Sequence, residues 1–124
     1  GGADLIIGFE PSETVRNLPL LKKDGKCLVN TKEIKPASNS AYDIKAIFAY
    51  LENQVPQTVF VDAYSLARQT GSMKVLNVLL LGVAFAENLI PLNEAAFLTT
   101  MLKNVPPKFA QINQQAFGLG LNYK

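Results

Sequence analysis

The stretch "ADLIIGFEPSETVR", residues 3–16, constrains the fold of this chain more than any other. Leu5, Ile6, Ile7, Gly8 and Phe9 form an apolar run of strand length. A run without polar alternation reads as a strand buried on both faces. Pro11 stands where a first helical residue loses nothing by lacking an N–H, which puts Glu10 at the N-cap. Val15, Leu18 and Leu21 mark one face of the helix that follows. Lys23-Asp24-Gly25-Lys26 predicts a turn, and Cys27 to Thr31 a second short buried strand. Strand, helix and strand with short joints make a βαβ unit, so the strands should be parallel with a right-handed crossover.

The remainder adds helices. Lys32 to Tyr42 is polar and reads as a loop, after which Ile44, Ile47, Phe48 and Leu51 recur at helical spacing. Gln54 to Gln57 breaks that helix, and Thr58 to Val61 forms a third strand. Asp62 is placed to cap a short helix through Arg68, closed by Gly71. "VLNVLLLGVAFAEN", residues 75–88, is helical and apolar on all sides, so it must lie centrally or face a partner. Pro91 is expected to stop it, and Asn77 is expected to be a buried, hydrogen-bonded amide within it. Asn93 caps a further helix with Ala96, Phe97, Thr100 and Met101 on its packing face. Pro106-Pro107 opens the last helix, with Phe109, Ile112, Ala116 and Phe117 inward, and "GLGLNYK" reads as a frayed tail. The expected fold is α/β: a three-layer α/β/α sandwich on a mainly parallel sheet, helix-rich in its C-terminal half.

Composition removes several chemistries. None of the 124 residues is histidine, which excludes imidazole triads, a histidine base and histidine metal ligands. Cys27 is the single cysteine, so neither an internal disulfide nor a cysteine-rich metal site can form from these residues. With no histidine to activate it, Cys27 reads as a buried structural thiol, and it points to a reducing compartment. The net charge of +2 comes without a run of basic residues, which speaks against nucleic acid. The apolar segment from Val75 to Ala86 falls short of the ~20 residues a bilayer span needs, and no basic leader precedes the first strand. These readings predict a soluble, cytoplasmic chain of one domain or part of one, without internal repeats.

In an open parallel sheet, ligands gather at the carboxyl ends of the strands. Glu10, Asn30 and Thr31 are therefore the candidate cofactor-facing residues. Each also has a structural explanation: Glu10 as a helix cap, Asn30 and Thr31 as turn residues. Asp62, after the third strand, reads as a cap. Arg16 and Arg68 could clamp an anion such as a CoA phosphate, and solvated helix faces explain them equally well. Gly118 and Gly120 follow no strand, so they do not make a phosphate loop. No catalytic or metal-ligating residue is identified.

Several segments occur in an order that resembles a known family. "ADLIIGFEPSETVRNLPLL", "CLVNT", "VFVDAYSLA", "KVLNVLLLGVAF" and "VPPKFAQINQQAFGLG" together resemble the gamma domain of 2-oxoacid:ferredoxin oxidoreductases, with the flavour of the indolepyruvate enzymes. The most specific parts are Phe9-Glu10-Pro11, Asn77 with Leu81-Gly82, and Asn113 with Ala116-Phe117 and Gly120. Gamma domains of this family begin with a Gly-rich strand, loop and helix. The resemblance therefore implies that residues 1–124 are the C-terminal part of such a domain, lacking any site that loop would build. It also implies a component of an enzyme that decarboxylates a 2-oxoacid on thiamine diphosphate, passes electrons through Fe–S clusters to ferredoxin and yields an acyl-CoA. In that reading this chain carries neither thiamine nor cluster. Its partners are thiamine-binding and ferredoxin-like subunits, and in isolation it is a homo-oligomer. The alternative is a free-standing Rossmann-like module binding a nucleotide or CoA.

Overall fold

The computed structural model describes residues 1–31 and 44–124. The loop expected from Lys32 to Tyr42 lies outside the described residues. The chain divides into two compact units, Gly1–Asp62 and Ala63–Lys124.

The first unit contains β1 (Ala3–Gly8), α1 (Pro11–Asn17), β2 (Leu21–Asn30), α2 (Ile44–Gln54) and β3 (Val59–Val61). The sheet order is β1-β2-β3, and both pairings are parallel. The α/β class and the βαβ unit follow as the apolar runs require. Cys27 and Val29, two apart on β2, form a core with Leu51 and Val55. Ile6, Val15, Leu18, Leu21, Ile47 and Phe60 pack against it. Helices α1 and α2 thus share one face of the sheet, as two successive crossovers of one hand dictate. Phe48 meets Phe60 edge to face, with 5.2 Å between ring centroids. Leu28 and Asn30 alternate onto the other face and are buried as well.

Three local expectations change. β1 is not fully buried: Gly8 is its one buried residue, because β1 lies at the edge of the sheet while β2 occupies the middle. Leu21 opens β2 instead of closing α1, after a 3-10 turn over Leu18–Leu20. The turn expected at Lys23-Asp24-Gly25-Lys26 lies inside β2 as a bulge. Ala3 pairs with Leu21 but Leu5 with Lys26, so two steps along β1 are matched by five along β2.

The second unit holds α3 (Ala63–Arg68), α4 (Leu76–Ala86), α5 (Glu94–Asn104) and α6 (Ala110–Leu121). The all-apolar segment is central, with Val78, Leu79, Leu80, Val83, Ala84 and Phe85 buried. It packs against α6 at backbone distance. A Cβ on Gly82 would lie 2.3 Å from the Phe117 carbonyl oxygen, and one on Gly120 would lie 2.1 Å from that of Leu79. Phe85, Phe97 and Phe117 surround this crossing, with centroids 5.0 to 5.9 Å apart. What ends α4 is Asn88, ahead of Pro91. Asn88 takes φ 58°, its N–H donates to the Phe85 oxygen, and the Leu89 N–H donates to that of Ala84. These are the two bonds of a Schellman cap, and asparagine is one of the few residues that adopt that backbone.

Asn93 caps α5 as expected, its Oδ1 accepting from the Ala96 N–H at 2.8 Å. Phe97 and Met101 are half-buried there, whereas Ala96 and Thr100 are exposed, so the packing face is narrower than its periodicity suggests. In the last helix Ala116 and Phe117 are buried and Ile112 half-buried, but Phe109 is exposed because it belongs to a 3-10 turn ahead of α6. The "GLGLNYK" segment is not frayed. α6 continues to Leu121, and the chain end is pinned by Glu87. The Tyr123 hydroxyl donates to Glu87 Oε2, and Lys124 Nζ lies 3.0 Å from the same oxygen.

Two tests follow from this unit. Gly120→Ala forces two backbones apart and should destabilise by about 1–3 kcal/mol or more. Gly118→Ala, where an added Cβ meets nothing within 4 Å, should be neutral or stabilise by up to ~1 kcal/mol through helix propensity. Urea unfolding of the two variants checks the contrast, and equal stabilities would contradict the packing. The Glu87 cluster predicts a pH dependence. Hydrogen bonds from Tyr123 and Lys124 hold the Glu87 carboxyl below its usual 4.5. Its contribution is present above that value and is lost as pH falls through the depressed one. Burial, reinforced by the bond to Glu87, pushes the Tyr123 phenol above its usual 10.0. Its contribution is complete below pH 10.0 and declines as pH rises from there. Melting temperatures across pH should show both limbs, and Glu87→Gln should flatten the acid limb and shrink the alkaline one.

Candidate functional site

The parallel register brings Glu10, Asn30 and Thr31 to one edge of the sheet. Gly8 pairs with Val29 and Asn30 with Val61, so all three residues stand at the carboxyl ends of β1 and β2. Phe9, on the same edge, is 54% exposed.

Asn30, Thr31 and Glu10 each commit one group to local structure. Asn30 is 2% exposed, and its Nδ2 donates to the Phe9 carbonyl oxygen at 3.1 Å, tying the end of β1 to β2 across 21 residues of chain. The Thr31 N–H donates to the Val61 oxygen at 2.9 Å and carries the β2–β3 pairing one residue past the strand. Glu10 occupies the N-cap position with extended backbone, but its side chain makes no capping bond. Its carboxylate accepts only a long bond from Ser12 Oγ, 3.4 Å. The backbone oxygen of Glu10 is the group in use: the Thr14 hydroxyl donates to it at 2.9 Å and the Thr14 N–H at 3.2 Å.

Thr14 is the residue that sequence reasoning missed. It is 1% exposed, and its Oγ1 lies 1.7 Å from where a Cβ on Gly8 would stand. Gly8 is therefore glycine to admit Thr14. The available signal was a threonine four residues after the N-cap Glu10, placed to bond back to the preceding turn. This arrangement bears on anion binding at α1. Pro11 contributes no N–H, Glu10 contributes a negative charge, and Thr14 fills the space beside Gly8. A phosphate needs the reverse at a helix N-terminus: free N–H groups, close backbone approach and no carboxylate.

The other candidates separate. Asn77 is exposed, and its Oδ1 accepts from the adjacent Val78 N–H at 2.9 Å, which corrects the expected buried amide. It sits in the first turn of α4, where asparagine satisfies an otherwise unpaired N–H. Arg16 is paired with Glu13 at 2.6 Å on the surface of α1. Arg68 is exposed in the last turn of α3, where the helix dipole favours a cation. Gly120 is a packing residue of α6. Cys27 is fully buried in the core, and burial pushes its thiol above the usual range, which makes it unreactive.

Hollows occur in both units among the described residues. One of about 220 Å³ is lined by Leu18, Leu21, Lys22, Val55 and Pro56. The other, about 430 Å³, lies in the second unit beside Val75 and Phe109. Neither wall includes Glu10, Asn30 or Thr31. The residues present do not fit an iron–sulfur cluster, since the single thiol is enclosed in the helix-covered face of the sheet. Among the described residues no group of three or more Cys, Asp or Glu converges. No helix among them is long and apolar enough to cross a membrane.

The sequence profile described as pyruvate ferredoxin/flavodoxin oxidoreductase matches residues 1–123. Curated relatives include indolepyruvate oxidoreductase subunit IorB of Thermococcus kodakarensis, 33% identical over 129 residues, and that of Pyrococcus horikoshii, 32% identical over 129 residues. In each case 98% of this chain and 63% of the relative are covered. The IorB subunit of Methanothermobacter thermautotrophicus is 30% identical over 122 residues, covering 94% of this chain and 62% of the relative. The chain thus spans less than two thirds of the length of these relatives. No solved structure matches it significantly. With nearly its whole length matched, residue order included, the chain belongs to the pyruvate ferredoxin/flavodoxin oxidoreductase family.

Proposed function

We propose that this chain is a gamma-type, non-catalytic component of a 2-oxoacid:ferredoxin oxidoreductase. Thiamine diphosphate, iron–sulfur clusters and CoA are bound by the other subunits, and this chain supports their assembly. The observation that carries the reading is the family match over residues 1–123, in relatives whose name is that of an oxidoreductase subunit. The residue inventory agrees with a supporting role: 124 residues with no histidine and one enclosed thiol offer no imidazole base and no cysteine ligand set for an iron–sulfur cluster. At the carboxyl edge of the sheet, Asn30 and Thr31 act as structural ties. Glu10, whose carboxylate accepts only the long bond from Ser12 Oγ, is the charged group of the three that would meet a neighbouring subunit or cofactor. Indolepyruvate and related 2-oxoacids are the substrate class we assign to the parent complex, in the cytoplasm.

Two measurements test this. The purified chain, given a 2-oxoacid, thiamine diphosphate, Mg²⁺ and CoA, should reduce no viologen dye, while the assembled complex should do so. Reduction by the chain alone would refute the non-catalytic assignment. Asn30→Ala should destabilise the chain by about 1–3 kcal/mol, the penalty for an orphaned buried bond. Turnover per assembled complex should stay unchanged. A loss of turnover in complexes of normal composition would instead make Asn30 part of the active site.

A further inference from the structure

The second unit carries an open groove of about 430 Å³ between the 3-10 turn Met73–Val75 and the start of α6. Val75, Val105, Pro106, Phe109 and Ile112 supply its apolar wall. Phe109 is 46% exposed, and Met73, at the head of the turn, is 36% exposed. The polar wall atoms are engaged locally: Ser72 Oγ accepts from the Lys74 N–H at 3.1 Å, and Asn113 Nδ2 donates to the Phe109 oxygen at 2.8 Å. A small-molecule site orients its ligand with a few convergent polar groups. This groove offers shape, apolar surface and charge.

The charge has one sign. Lys74 lines the groove, and Lys108 Nζ lies 5.1 Å from the centroid of the Phe109 ring at its rim. Among the described residues neither lysine is in an ion pair. The unit holds Arg68, Lys74, Lys103, Lys108 and Lys124 against Glu87 and Glu94, a net charge of +3. Glu87 is already occupied by Tyr123 and Lys124, and Glu94 lies in the first turn of α5. A second copy of this chain would bring like charges together, which opposes self-association through this face.

We propose that this groove docks an acidic, apolar segment of a partner subunit, with apolar side chains against Phe109, Val75 and Val105 and carboxylates at Lys74 and Lys108. Such a segment combines anchor burial with charge complementarity, the usual division between affinity and steering. The inference rests on the component reading above and adds which face does the assembling.

The test measures association of this chain with its co-expressed thiamine-binding subunit at low and high salt. Lys74→Glu with Lys108→Glu should weaken binding by about ten-fold or more at low salt and abolish most of its salt dependence. Phe109→Ala should weaken binding by about ten-fold while keeping the salt dependence. Lys23→Glu with Lys26→Glu, exposed on the first unit, should change it by no more than about two-fold. A photocrosslinking phenylalanine analogue in place of Phe109 should label an acidic, apolar stretch of the partner. Unchanged binding by the two groove variants, or labelling of a second copy of this chain, overturns the groove assignment and leaves the component reading standing. Absence of any complex with the unaltered chain overturns both.

Discussion

Two glycines without side chains, Gly82 and Gly120, set how close α4 and α6 can come, and the second unit is arranged around that distance. With the backbones in contact, the carbonyls of Leu79 and Phe117 sit where any other residue would place a Cβ. The close crossing brings Phe85 and Phe117 within 5.8 Å of each other and leaves room for Phe97 of α5 to complete the aromatic group. It also brings the end of α6 back to the end of α4, where Glu87 meets Tyr123 and Lys124. An apolar helix surface can slide, since dispersion and burial are not directional. A glycine-to-glycine approach at fixed positions removes that freedom.

The first unit solves a similar problem with a polar residue. β2 is the central strand, and Cys27, Leu28, Val29 and Asn30 are all buried. An amide in that run is tolerated because it is used: Asn30 satisfies the Phe9 carbonyl just past β1, where the strand pairing has ended. Thr14 does the same for the Glu10 carbonyl one residue later, in the space that Gly8 leaves open. The Asn30 amide thus takes the place of a strand partner for the Phe9 carbonyl, and the Thr14 hydroxyl adds a second donor to the Glu10 carbonyl, which already accepts the Thr14 N–H.

The features legible in the sequence were those governed by local periodicity. Parallel β1 and β2, the helix from Ile44, the central apolar helix and the Asn93 cap all follow from spacing and residue type. Three of the errors share one cause: they depend on what lies across from a residue. β1 reads as buried from its own composition, but its place at the sheet edge leaves it partly open. "GLGLNYK" has two glycines and a polar end, the composition of a loose tail, yet Gly120 is required by Gly82, 38 positions earlier. The Lys23-Asp24-Gly25-Lys26 turn was a sound reading of local chemistry, but β1 holds that segment within a strand as a bulge. At the carboxyl edge, the positions of Glu10, Asn30 and Thr31 were legible and their bonds were not, because Asn30 answers a carbonyl 21 residues away.

The distribution of polar side chains bears on what such a chain can do. Asn17, Asn104, Asn113 and Asn122 each donate to the carbonyl four residues back, and Asn93 accepts from an N–H at its own helix start. A catalytic site works in the opposite way, holding donors and acceptors unsatisfied by the protein and aimed at charge that develops in a substrate. Groups already bonded to backbone at 2.8 to 2.9 Å cannot serve there without breaking local structure. Uncommitted groups of another kind include, among the described residues, an exposed Phe9 beside Glu10 on the first unit, and exposed Phe109 with Lys74 and Lys108, neither in an ion pair, on the second. Aromatic surface bordered by charge is the material of recognition between chains.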